Sequence, residues 1–471
     1  MSKLKMYSLI AAVLFLACGS GLAQTWRIEE VESSAADLGY DTSIVIDSAN
    51  LPHISYYGNW SLRYARSNGD LWDITMIDQS LPMILGRWNS ITLDSQDYPH
   101  ISYHNASTLD LKYCFWDGSS WQISTIDTVG HVGRYSSIAT DAPGYPHISY
   151  LDRSKGDLKY ARWDGLSWCI TSPDTAGDVG KYTSLALDSA GFPHISYNDY
   201  YNNDLKYARW DGAAWYLVSV DTEGDVGRFT SLALDAADNP HISYYDDGNQ
   251  DLKYAFWNGS RWIVLTVDRV GDVGMHSALA VDSEDLPHIS YFDKSNGDLK
   301  YAHWSGTSLE ITTVDAVGNV GKYSSIALDD HDAPHIAYHD VTDALKYAHL
   351  PSVPLPDIKV NGGDGPVSIP HTQSAALTIS VDPGSYQNVF HDWWIGGVRN
   401  GTDLFSLVYP GRWIFTSLPL LTYEGPVVGL DNFLLAQGRV PVGSWVFIFA
   451  LDEWNGTFEG TYFDTIEVTV Y

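Results

Sequence analysis

The chain has 471 residues, of which 13% are aromatic and 18% charged, and it carries a formal net charge of −31. This is the composition of a folded chain, not a disordered one. So acidic a surface repels phosphate backbones, which argues against a nucleic-acid partner, and it suits a well-solvated protein outside the cell.

The first 23 residues read as a secretory signal peptide. Lys3 and Lys5 form a basic start, Leu9–Ala17 is a short apolar run, and Gly21-Leu22-Ala23 supplies small residues before Gln24. The run is too short for a membrane anchor. Phe15-Leu16-Ala17-Cys18 offers a second route, a bacterial lipoprotein box with Cys18 as the lipidated residue. No later stretch is apolar for long enough to be a transmembrane helix, so export to the cell surface or medium is expected. Cys114 and Cys169 remain after cleavage and sit in different units. They read as small buried thiols, with a disulfide the alternative.

From residue 24 the chain repeats. Pro-His-Ile begins at Pro52, Pro99, Pro146, Pro193, Pro240, Pro287 and Pro334, always 47 residues apart. One unit, Lys181–Gly227, holds four strand-like pieces: Thr183–Asp188, His194–Tyr197, Leu205–Trp210 and Trp215–Val220. Turn clusters rich in Gly, Pro, Asn and Asp separate them. A four-stranded unit of this length, repeated, is the pattern of a β-propeller blade. The prediction is an all-β fold with a seven-bladed propeller over 24–350. The seventh unit ends at Leu350 without a fourth strand, and Trp26–Val31 has the character of the missing one. The N-terminal strand is therefore expected to complete the last blade and close the ring. Residues 351–356, PSVPLP, read as a linker. Residues 357–471 lack the repeat and read as a β-sandwich, in an immunoglobulin-like arrangement without its cysteine pair.

Pro-His-Ile-Ser-Tyr looks reactive when read alone. Its sevenfold repetition changes that reading. Every unit pairs an aspartate with a histidine six residues on: Asp47 and His53, Asp94 and His100, Asp141 and His147, Asp188 and His194, Asp235 and His241, Asp282 and His288, Asp329 and His335. A propeller active site usually draws different residues from different blades. A pair present in all seven is expected to be a structural staple, a carboxylate–imidazole bond across the first turn. Tyr56, Tyr103, Tyr150, Tyr197, Tyr244, Tyr291 and Tyr338 recur in the same way.

RWDGLSW (162–168), RWDGAAW (209–215), FWDGSSW (115–121) and FWNGSRW (256–262) resemble the Asp-box turn of sialidase-like and lectin-like propellers. The Gly-x-x-Trp half of that motif matches. The Asp adjoins the Gly instead of preceding it by two, and the leading Ser/Thr is missing. In that family the turn joins third and fourth strands, on the face away from the active site. The resemblance thus implies fold and not activity.

The loops from each fourth strand to the next blade carry the variation. After their second glycine come Tyr40, Arg87, Arg134, Lys181, Arg228, Met275 and Lys322, five of them basic. Aromatics follow at Trp88, Tyr135, Tyr182, Phe229 and Tyr323. Arginine forks suit oxyanions, and aromatic faces suit sugar rings. The competing expectation is that Asp178 and Asp225 pair with Lys181 and Arg228 three residues on, making loop staples. No metal or other cofactor is expected. Calcium at Asp152, Asp199, Asp246, Asp293 and Asp340 is the alternative, against simple turn-capping.

Three functions follow. The first is a secreted or surface-exposed, non-catalytic propeller that binds a glycan or surface polymer. The second, implied by the sialidase resemblance, is a glycosidase with Arg87, Arg134 and Arg228 as a carboxylate-binding triad and Glu223 nearby. Sialidases have six blades, however, and no insertion here builds a deep pocket. The third is an adhesive scaffold that binds another protein.

Overall fold

The computed structural model describes residues 26–33, 38–69, 71–79, 84–306, 308–342 and 344–350, and the strands between residues 355 and 470. The leader read over 1–23, with Cys18, lies outside the described residues. Among the described residues no helix is long and apolar enough to cross a membrane.

Residues Trp26–Leu350 form one compact unit of seven four-stranded antiparallel sheets. In the fourth blade the strands are Val179–Leu187, Pro193–Asp199, Asp204–Trp210 and Trp215–Asp221, paired in that order. The first begins four residues before the predicted Thr183. The Gly-Asp-Val-Gly loop already pairs with the second strand there, through two register shifts around Lys181. In the seventh blade the order is Val320–Leu328, Pro334–Asp340, Ala344–His349, and then the N-terminal strand Arg27–Ser33. Arg27 lies opposite His349, and a bulge falls between Glu30 and Glu32. The strand Arg27–Ser33 thus closes the ring.

The second strand of every blade is buried from end to end. It lies inside its own sheet and between two neighbouring blades, so neither face meets water. Period-2 alternation divides the work. Ile54 and Tyr56 enter an apolar cluster with Leu345 and Tyr347 of the preceding blade. Ser55, on the other face, donates to Asn89 of the following blade. Burying such hydroxyls is tolerated because each finds a partner.

Two further ties hold neighbouring blades together. Each recurring second-strand tyrosine donates to the carboxylate that ends the previous blade's fourth strand. Tyr150 reaches Asp127 at 2.8 Å and Tyr197 reaches Asp174 at 2.8 Å. A lysine from the third strand joins each, Lys159 to Asp127 and Lys206 to Asp174. At the closure the parts change but the tie persists: Tyr56 and Arg63 meet Glu32 of the N-terminal strand. The second tie is aromatic. Trp168, Trp215 and Trp262 pack edge-on against Tyr113, Tyr160 and Tyr207 of the blade before, at 5.2–5.4 Å. Trp26 does the same on Tyr301, at 5.1 Å.

Beyond Pro351 the strands belong to a second unit. Leu355–Val360, Ser374–Asp382 and Leu430–Arg439 form a three-stranded sheet. The remaining strands join a seven-stranded sheet, in which Val367–Ile369 runs parallel to Tyr462–Val470. The first of these strands starts inside the proline-rich segment read as a linker, because Leu355 and Pro356 lie opposite Asp382 and Val381. Both remaining cysteines are free. Cys114 is buried, but Cys169 is only half-buried, because it lies on an outermost strand.

Candidate functional site

The repeated histidine is committed to the scaffold. Its Nε2 faces the aspartate of the first turn, at 3.1–3.4 Å for His53, His100, His288 and His335. For His147, His194 and His241 the separation is 3.5–3.6 Å, an electrostatic contact rather than a hydrogen bond. The shorter bond is at Nδ1. The third-strand tyrosines Tyr64, Tyr113, Tyr160, Tyr207, Tyr254 and Tyr301 donate to it at 2.5–2.7 Å, and Tyr347 donates to His335. The carboxylate facing Nε2 draws the ring proton there, which leaves Nδ1 as the acceptor. Burial lowers the pKa of His53, His100, His147, His194, His241 and His288, against the pull of the aspartates. These are neutral rings, each bonded at Nδ1 to a tyrosine and facing a carboxylate at Nε2, although at His194 the Nε2 contact is electrostatic only. The sequence reading missed the tyrosine. Its signal was the same kind of register, a Lys/Arg-Tyr pair at one place in every unit.

The Asp-box-like turns are likewise engaged. Asp117, Asp164 and Asp211 each accept two backbone N–H groups of their own turn, at 2.8 Å. The loop aspartates weighed for calcium behave similarly. Asp152, Asp199, Asp246, Asp293 and Asp340 cap their own loops at 2.9–3.1 Å.

On the face bearing the between-blade loops, the structure separates the basic residues from the aromatics that follow them. The aromatics line the central channel. Trp88, Tyr135, Tyr182, Phe229, His276 and Tyr323 follow one another around it with centroids 4.4–5.6 Å apart. Asp41 takes the seventh place, and the cavity they border is about 170 Å³. All seven adopt φ between 49° and 55°, a left-handed conformation unusual for bulky residues. Bonds between blades hold them there. The hydroxyl of the next residue on the following blade donates to the carbonyl of each ring residue, as Ser136 does to Trp88 and Thr183 to Tyr135 at 2.7–2.8 Å, and the Asn89 amide does so to Asp41 at 2.7 Å.

The basic residues lie over the gaps between blades, and their fates differ. Lys181 pairs with Asp178 at 2.8 Å and covers the Tyr200 ring. Arg228 pairs with Asp225 and Asp247 at 2.9 and 3.1 Å. These two are loop staples. Lys322 lies over Phe292. Met275 brings no charge, and Tyr40 packs beside Tyr57 and Tyr323. Arg87 reaches Asp41 at 2.9 Å, and burial raises the pKa of that carboxyl.

Arg134 stacks over Trp88 at 4.7 Å and, like Lys322, has no carboxylate within salt-bridge distance among the described residues; what sets it apart is the company it keeps. The loop position that holds Asp178 or Asp225 in the next two blades is His131 here. Arg153 follows from the neighbouring loop, its N–H donating to the His131 carbonyl at 2.8 Å. His104 stacks on His131 with centroids 5.4 Å apart and meets the edge of Trp88. His104 is fully buried, and neither ring nitrogen has a protein partner. Burial, aided by the charges of His131, Arg134 and Arg87, pushes its pKa down to about 3. Of this group the sequence reading named Arg87, Trp88, Arg134 and Tyr135 and missed His104, His131 and Arg153. The departure from Gly-Asp-Val-Gly to Gly-His-Val-Gly was the available signal. The three arginines that gather are Arg87, Arg134 and Arg153, and Arg228 belongs to another gap.

A larger cleft of about 610 Å³ lies on the opposite face between blades three and four, walled by Tyr160, Phe192, Trp215 and Arg162.

No family model and no curated protein matches this chain. Solved structures match part of the chain. AofleA from Arthrobotrys oligospora is 12% identical, with a TM-score of 0.44, covering 62% of this chain and 91% of its own. An ulvan lyase of a polysaccharide lyase family is 15% identical with a TM-score of 0.48, covering 68% and 95%. A protein of unknown function from Dyadobacter fermentans is 11% identical with a TM-score of 0.42, covering 57% and 95%. None of these likenesses transfers a function.

Proposed function

We propose that this protein is a non-catalytic propeller that binds a carbohydrate or surface polymer on its loop face. One observation carries the reading. A chain of net charge −31 gathers Arg87, Arg134 and Arg153 on a single face, beside a ring of half-buried aromatics. Flat apolar faces next to fixed cations suit the ring faces and polar substituents of sugars. The leader over 1–23 delivers the protein outside the cytoplasm, with Cys18 as the lipid-bearing alternative. The unit after Pro351 is read as a β-sandwich. A glycan array carrying neutral and acidic polysaccharides tests the reading. Binding that is lost in a Trp88→Ala, Tyr182→Ala double variant is expected. Silence across the array overturns it.

A further inference from the structure

We propose that the gap between blades two and three on the loop face is an oxyanion receptor, built for the sulfate or carboxylate group of an acidic saccharide. This rests on the loop-face reading above and deepens it.

Comparison of equivalent gaps within the molecule carries the inference. Each gap places three residues together: the basic position of the innermost strand, the residue three before it, and the residue that opens the second-to-third strand loop. The gap at Arg228 fills the other two positions with Asp225 and Asp247. The gap at Lys181 uses Asp178 and Tyr200. At Met275 the cation is gone, and Asp272 pairs with Lys294 at 2.8 Å. Those gaps neutralise themselves. The gap at Arg134 fills the two positions with His131 and Arg153, so three nitrogen-bearing side chains replace a balanced pair.

The second observation is independent of that charge. His104 Nδ1, His104 Nε2, His131 Nε2 and Arg134 Nε are buried and have no protein partner. A neutral imidazole carries one N–H, so His104, His131 and Arg134 each bring N–H groups to a buried cluster that is costly when unpaired and implies a group that satisfies it. An oxyanion matches: it accepts several N–H bonds at once, and Arg binds it in a fork. The carboxylates nearby do not serve. Asp41 is held by Arg87 and by the Trp88 N–H at 3.1 Å. Asp152 is 1% exposed and caps Ser154 and Lys155. Gly133 keeps the loop close, since a Cβ there would stand 2.7 Å from the Leu111 Cα, and its φ is +90°. Trp88, under the Arg134 guanidinium, adds the apolar wall that a saccharide ring needs.

The test uses the full chain and two readouts. In the first, sodium sulfate is titrated while the imidazole resonances of His104 and His131 are followed by NMR. Saturable shifts of both, absent in Arg134→Gln, are expected. Unmoved imidazoles overturn the receptor, because the donors are then satisfied by solvent alone. In the second, binding to a sulfated polysaccharide, a polyuronate and dextran is measured by calorimetry for the wild type, Arg134→Gln and His131→Asp. The last restores the carboxylate that the two following blades carry. Both variants are expected to melt within about 2 °C of wild type and to bind the acidic polymer about tenfold or more weakly, the value of a charged hydrogen bond. Dextran separates the two proposals. Acidic-polymer affinity unchanged in both variants sinks the receptor and leaves the loop-face reading standing. Sulfate shifts at His104 without binding of any polymer sink the loop-face reading and leave an anion site. Preference between the sulfated polymer and the polyuronate identifies the group.

Discussion

The Asp–His–Tyr arrangement gives a sharp prediction for the fourth blade. Tyr207→Phe removes one oxygen. The ring still packs against Trp262, but His194 Nδ1 loses the bond it accepts at 2.6 Å. His194 is 1% exposed, so water does not replace that donor. An unsatisfied buried acceptor costs about 1–3 kcal/mol. His194→Ala goes further, leaving the Tyr207 hydroxyl unpaired and a cavity the size of the imidazole, at about 4 kcal/mol. In a domain this large, 1 kcal/mol corresponds to roughly 2 °C in melting temperature. The expected falls are about 4 °C for Tyr207→Phe and about 8 °C for His194→Ala, read by differential scanning calorimetry. Binding on the loop face should survive in both, since His194 lies at the far end of its strand from that face. A variant that melts like wild type but loses binding would refute the structural role and return the histidine to the site.

Other consequences follow from the same structure. Glu32→Ala should loosen the closure: Arg63 and the Tyr56 hydroxyl lose their shared partner, at a cost of about 3 kcal/mol. Limited proteolysis should then cut the N-terminal strand first. Acid should destabilise the propeller before its carboxylates titrate. His104 is held at about 3 in the folded state, while the unfolded chain takes up that proton near pH 6.5. Stability is complete above that value and falls with pH below it, by about 2 kcal/mol from this residue alone at pH 5. Depressed values at the buried staple histidines act in the same direction. The melting temperature should therefore drop between pH 7 and pH 5, and a flat profile would contradict the buried, neutral imidazoles. Finally, a thiol reagent should label Cys169 in the native protein and Cys114 only after unfolding, because burial both hides the Cys114 thiol and raises its pKa.

How much of this was legible in the sequence depends on the range of the interactions. Strand count, blade count and closure were readable, because turn chemistry and alternation are local and the 47-residue register repeats them. The Asp–His pairing was readable for the same reason. Its tyrosine was not, although it recurs just as faithfully, because its partner lies on a different strand. The placement of the basic residues was read only in part. The sequence put them beside the channel, whereas the left-handed turn at the next residue sends the aromatics inward and leaves the basic side chains over the gaps.

That division suggests where to look for function in a molecule built from near copies. A residue present in every blade answers a need that every blade has: neutralising Lys159 or Lys206, capping a turn, filling a wedge between sheets. A ligand imposes its demand at one place, and the mark it leaves is a local breach of the repeat that the fold does not require. Arg134 shows such a breach. Two blades on, Arg228 sits in the same register with two carboxylates, so the scaffold has a ready way to neutralise that position. With His131 and Arg153 in place of those acids, the fold gains no bond and keeps buried donors unpaired. Only this gap gathers two arginines and two histidines in place of the acids, and a group from outside the chain that accepts their N–H bonds would offset that cost.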